Sequence, residues 1–137
     1  MLITRITVLR WSILAGAAYF ALVAVAHAFG LKVPGLFIYF DVPSHRYQDG
    51  IISFLCFGWS AFFFTAATEP PSHRPATRAI IVAGIIAIAG LSLINALANF
   101  HAISPLSQVS IFWLEVGLGL LYWSWLACLV SLTRERP

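Results

Sequence analysis

The segment WSILAGAAYFALVAVAHAFG, Trp11 to Gly30, contains no carboxylate, lysine or arginine. The hydrocarbon core of a bilayer is about 30 Å thick, and a helix rising about 1.5 Å per residue needs roughly 20 apolar residues to cross it. Three further segments are apolar over a similar length: residues 51–68 (IISFLCFGWSAFFFTAAT), 79–99 (AIIVAGIIAIAGLSLINALAN) and 109–132, the last with a single carboxylate, Glu115. Backbone polar groups inside hydrocarbon must be satisfied within the chain, which leaves helices or closed barrels. The runs are continuous and do not alternate, so they predict helices. The expected fold is an all-α integral membrane protein, one domain over residues 1–137. It is a bundle of four transmembrane helices (11–30, 51–68, 79–99 and 109–132) with short connections, among them an outer loop at 31–50 and a cytoplasmic loop at 69–78.

Composition bears on what surrounds the chain. Of its 137 residues, 61% are hydrophobic and 9% charged. A soluble domain carries roughly 25% charged residues, so this chain cannot cover its own surface with polar groups. The lipid bilayer is therefore the expected partner. The net charge of +3 does not imply nucleic acid, because such proteins gather their basic side chains into a patch or stripe. Here the basic residues are scattered between apolar segments. Cys56 and Cys128 lie inside apolar runs without a CxxC motif and read as small hydrophobes.

Local signals set the expected boundaries. Asp49, just before Gly50 and Ile51, suits an N-cap, and Ser104–Pro105 would place proline at the first position of the fourth helix. EPPSHRPATR (69–78) holds three prolines and no apolar run, which marks a loop. The first segment has a rival identity. Arg5 and Arg10 precede an apolar core ending in Ala26-His27-Ala28, which has the A-x-A form of a signal-peptidase site. The core exceeds the usual ~7–15 residues, so a retained helix is expected. Arg5, Arg10, Arg74, Arg78, Arg134 and Arg136 fall on one side of four spans, against Lys32 and Arg46 on the other. Basic residues in short loops stay cytoplasmic. Both termini are thus expected inside, in a bacterial inner membrane, with FDVPSHRYQDG (40–50) on the outer face.

The polar residues at membrane depth gather at that outer end: His27, Asp49, Asn95, Asn99, His101 and Glu115. Helical spacing puts Asp49, Ser53, Cys56 and Ser60 on one face of the second helix. It puts Gln108, Phe112, Glu115, Gly119 and Tyr122 on one face of the fourth. Small residues at 17, 21, 24 and 28 of the first helix, and at 79, 83, 87 and 90 of the third, offer close-packing stripes. The apolar stretch GLFIYF (35–40) is too short to span and is expected in the membrane interface. Asp41, His45 and Arg46 form a candidate lid over the outer mouth, or an ordered turn in which Arg46 pairs with Asp41 or Asp49.

These patterns bound the function. No G-x-S-x-G, phosphate-cradling glycine loop or CxxC appears. The histidines show neither H-x-x-x-H nor HExxH spacing, so no metal site is assigned and no cofactor is predicted. Two imidazoles facing across a bundle could ligate haem b, and three imidazoles with a carboxylate could hold zinc or copper. The leading expectation is a non-catalytic accessory or assembly subunit that works with other membrane protein subunits. The alternative is an outward-facing site for a small ligand, a quinone or a proton, centred on Glu115 and His27. A second alternative is a haem-binding electron-transfer anchor.

Overall fold

The computed structural model describes residues 2–68 and 74–133. Every regular element there is helical: α1 (Leu2–Phe29), α2 (Arg46–Thr68), α3 (Arg74–Leu97), a single turn α4 (Phe100–Ile103) and α5 (Val109–Leu132). The four long helices are each long and apolar enough to cross a membrane. Half of the 69–78 stretch expected as a loop, residues 69–73, together with Arg134 and Arg136, lies outside the described residues. Arg74 to Arg78 are already helical.

Several boundaries move, each for a local reason. α1 reaches back to Leu2 instead of starting at Trp11, since a helix satisfies its own backbone past the apolar core. α2 begins at Arg46, so Asp49 is not its N-cap. His45 holds that place: its carbonyl accepts from the N–H groups of Gln48 and Asp49 at 2.9 and 3.1 Å. The Gln48 side chain accepts from the His45 N–H at 3.2 Å, the return half of a capping box. α3 stops at Leu97 because Asn99 turns out to cap α4, accepting from the Ala102 N–H at 3.2 Å. Pro105 does not open α5. Ser104 to Ser107 form a turn instead, closed by the Ser107 N–H on the Ser104 carbonyl at 3.0 Å.

The helices pack as two antiparallel pairs. Along the first pair, Ser53 and Ser60 of α2 donate to the Ala24 and Ala17 carbonyls of α1 at 2.8 and 2.7 Å. As one helix ascends the other descends by the same seven residues, so the small residues of α1 meet the serine face of α2 in register. Between α3 and α5, the Trp123 ring lies flat on Gly84 and the Ile88 side chain reaches Gly119. The alanine stripe expected to pack α3 does not do so: Ala79, Ala87 and Gly90 are exposed, and Thr77, Ile80 and Gly84 are buried. The two pairs join at Gly16 of α1, against which both Phe63 and Tyr122 press. Tyr122 also donates to the Ser12 carbonyl at 2.9 Å, and the Trp125 indole to the Ser12 hydroxyl at 3.0 Å.

Below that junction lies the apolar core, with Ile13, Phe63, Ile80 and Leu126 fully enclosed. It fills the end of the bundle where α1 and α3 begin and α5 finishes. The opposite end is closed by a folded loop, residues 30–45, and contains most of the buried polar groups. At Gly84 an added methyl group would fall inside the enclosed Trp123 ring. Gly84→Ala is expected to destabilise by roughly 1–3 kcal/mol, as overpacking does. Gly58→Ala and Gly90→Ala, with nothing within 4 Å of either site, are expected to be neutral or mildly stabilising. Thermal unfolding of the three variants in detergent micelles checks the contrast.

Candidate functional site

The loop after α1 turns inward because two glycines let it. Gly30, at φ +68°, ends the helix: its N–H reaches the His27 carbonyl at 3.3 Å and the Leu31 N–H reaches that of Ala26 at 2.8 Å. That pair of bonds is the Schellman arrangement, which needs a residue in the left-handed region. Gly35 follows Pro34 and sits at φ +84°, the second bend. The GLFIYF stretch begins at this second bend. It packs into the mouth of the bundle. Phe37 is buried and stacked on the His27 ring at 3.6 Å, while Tyr39 stacks on Phe100 and meets Phe112 edge-on.

Glu115 fastens this loop. Its Oε1 accepts from the Gly35 N–H at 2.6 Å, and the Gly35 carbonyl in turn accepts from the Tyr19 hydroxyl at 2.8 Å. One residue thereby ties α5 to α1. A short N–H bond to a carboxyl oxygen is stronger than one between neutral groups. Further along, the Tyr39 hydroxyl donates to Asn95 Oδ1 at 3.0 Å. Burial pushes the Tyr39 phenol above the ordinary tyrosine range of about 10, and the nearby Glu115 charge pushes it the same way. The bond to Asn95 is thus intact below that range and is lost only as the pH rises through the raised value. Glu115 Oε2 and Asn95 Nδ2 are buried without a partner among the described residues.

A second polar cluster sits between α1 and α2. His27 Nδ1 and Asp49 Oδ1 are 3.2 Å apart, both side chains buried, and the Ser44 hydroxyl donates to Asp49 Oδ2 at 2.9 Å. This is the ion pair present among the described residues, so Arg46 does not bridge Asp41 or Asp49. Those carboxylates are engaged elsewhere. Asp41 Oδ2 accepts from the Gln108 N–H at 2.7 Å and so caps α5 from a distance, while the Asp41 carbonyl accepts from the Ser104 hydroxyl at 2.9 Å. Its other carboxylate oxygen is buried and bare.

The expected residues therefore divide. Glu115 and Asn95 line one cluster, and His27 and Asp49 form the other. Asn99 is an exposed cap, and His101 is exposed on α4, 3.3 Å from the Ser107 hydroxyl. Of the candidate lid, Asp41 is built into the loop's attachment. His45 and Arg46 lie exposed at the start of α2, with His45 stacked on Tyr47. His27 and His101 do not face one another across the bundle. Among the described residues, no three His, Cys, Asp or Glu side chains gather closely enough to hold a metal ion. Tyr19, Gly35, Phe37, Tyr39 and Ser44 were not anticipated. The Pro34-Gly35 dipeptide was a legible turn signal, but nothing in the sequence aims the turn at Glu115.

Comparison with family models, curated proteins and solved structures yields no match. What the site does must be read from its own chemistry. The His27–Asp49 contact should be energetically coupled, because removing one buried partner strands the other. His27→Ala and Asp49→Ala are each expected to destabilise strongly. The double variant should lose less than the two effects added together, with a coupling of roughly 0.5–3 kcal/mol, measurable as a double-mutant cycle of unfolding in micelles.

Proposed function

We propose that the chain is an integral membrane protein of four spans, with both termini cytoplasmic and the 30–45 loop facing outward, in a bacterial inner membrane. It serves as an accessory or assembly subunit of a larger membrane complex. The orientation is supported by Arg5, Arg10, Arg74 and Arg78 at the end opposite the loop. The subunit role is supported by a contrast between two helix surfaces. α3 turns an aliphatic side outward, Val82, Ile85, Ile86, Leu93 and Ile94, as lipid contact requires. α2 leaves an aromatic side uncovered, Phe54, Phe57 and Phe64, beside an open groove of about 300 Å³ lined by Phe54, Leu55, Gly58, Trp59 and Phe62. A glycine notch among aromatic knobs suits the close approach of a neighbouring helix.

A photo-crosslinking side chain at Phe57 or at Ile86, followed by mild-detergent purification from the native membrane, tests this. A protein adduct of defined mass from position 57, absent from position 86, is the expected result. A solitary chain with lipid adducts alone at both positions would overturn the subunit role.

A second function is favoured by one observation. Glu115 Oε2 and Asn95 Nδ2 offer a buried acceptor and a buried donor with no partner among the described residues, and Asn95 is the residue to which Tyr39 donates. A small ligand that both donates and accepts, or a proton in exchange, would satisfy them. Glu115→Gln keeps the shape and still accepts from Gly35. If the carboxyl carries function, this variant is expected to fold near normally and lose activity in the complex. Equal loss of folded protein would assign Glu115 to fastening alone.

A further inference from the structure

The strongest charge asymmetry of the molecule lies at the end away from the loop. The described carboxylates, Asp41, Asp49 and Glu115, all belong to the loop end. At the other end two guanidinium groups from different helices converge on consecutive carbonyls. Arg5 of α1 donates to the Leu132 carbonyl at 3.2 Å, and Arg74 of α3 donates to the Thr133 carbonyl at 3.3 Å. These carbonyls belong to the C-terminal turn of α5, where the helix dipole favours positive charge. The two arginines therefore have a structural role, but it uses few of the five N–H donors that each guanidinium has.

Three features around this pair describe an incomplete site. Arg78 follows Arg74 by one helical turn and so shares its face, and it is exposed. Trp11 of α1 and Trp125 of α5 are 66% and 50% exposed, and Trp125 is anchored to Ser12 of α1. Tryptophan at this depth marks the headgroup level of a bilayer. One turn deeper along α5, Leu121 is exposed, an apolar side chain beneath the indole of Trp125. Positive donors at the top, indoles beneath them and an apolar side chain below match the order of groups in a phospholipid: phosphate, glycerol ester, acyl chain.

We infer that Arg5, Arg74 and Arg78 bind the phosphate of an anionic phospholipid at the cytoplasmic end of the bundle. The lipid's chains lie along the α1–α5 seam. The phosphate oxygens accept from guanidinium N–H groups left over by the Leu132 and Thr133 carbonyls, as planar guanidinium forks favour. The lipid completes the termination of α5 by neutralising two like charges held close together. This rests on the membrane-spanning reading given above, which a separate measurement tests.

The full chain, purified in mild detergent, is titrated with phosphatidylglycerol, with phosphatidylcholine and with inorganic phosphate. Thermal unfolding and native mass spectrometry are the readouts. The expected result is a rise in Tm and a retained lipid with phosphatidylglycerol only. Equal shifts from both lipids would overturn the site, and an equal shift from inorganic phosphate would replace it with a free-anion site. Arg5→Gln with Arg74→Gln should weaken binding about 30-fold, at roughly fivefold per basic residue, while Arg46→Gln at the loop end leaves it unchanged. Should the double variant fail to fold, Arg78→Gln, which removes no bond to the α5 carbonyls, is expected to weaken binding about fivefold on its own. No change in that variant counts against the site. Alkaline carbonate extraction of native membranes separates the two levels. A chain that stays with the membrane but shows no lipid preference defeats this inference alone, and a chain that is released defeats the membrane reading and this inference with it.

Discussion

A polar group buried away from water must find its partner inside the chain, and the arrangement of this protein follows from how that requirement is met. Gly35 is held through both of its flanking peptide groups, its N–H by Glu115 of α5 and its carbonyl by Tyr19 of α1. A loop backbone that enters a helical bundle would otherwise carry unsatisfied donors and acceptors. Here helix side chains supply them. Asp41 does the converse, reaching from the loop to the open N–H at the start of α5. Loop and helices complete one another, so neither is finished alone.

The same requirement explains the division of the bundle into two ends. Where α1 and α3 begin, the interior is filled by Ile13, Phe63, Ile80 and Leu126, and close approach is allowed by Gly16 and Gly84 beneath aromatic rings. At the loop end the helices are held by hydrogen bonds and by the His27–Asp49 pair, with Phe37 lying over the imidazole. The serine bonds of α2 to the α1 backbone run between the two regimes. A buried hydrogen-bonded pair covered by an aromatic ring has no water to replace a lost partner, so its geometry matters more than that of a surface pair.

Function follows from what the two ends leave unused. At the loop end most polar groups are engaged with one another, leaving Glu115 Oε2 and Asn95 Nδ2 without a partner among the described residues. At the other end Arg5 and Arg74 cap α5, and the proposed lipid would take their remaining donors. The uncovered aromatic side of α2 adds a surface of a third kind. The proposed helper role within a larger assembly, and the proposed anionic lipid, would draw on all three surfaces.

The helical class and the four long elements were readable from sequence, because length and continuous apolarity are local properties and hydrocarbon admits few backbones. The 109–132 helix was placed to the residue, and the serine face of α2 followed from spacing alone. Caps were read less well. Asp49 has the chemistry of an N-cap, yet its carboxylate is turned to His27 and Ser44, partners that no local rule reveals. The alanine stripe of α3 failed for a related reason: small residues permit close packing, but Trp123 selects Gly84 as the place where it happens. By itself the sequence determined how many helices could cross a membrane, and that the polar groups at membrane depth gather at one end. Only the tertiary structure decided which of those groups meet, since His27 and Asp49, Glu115 and Gly35, and Tyr39 and Asn95 are brought together by loop bends and helix register and not by proximity along the chain.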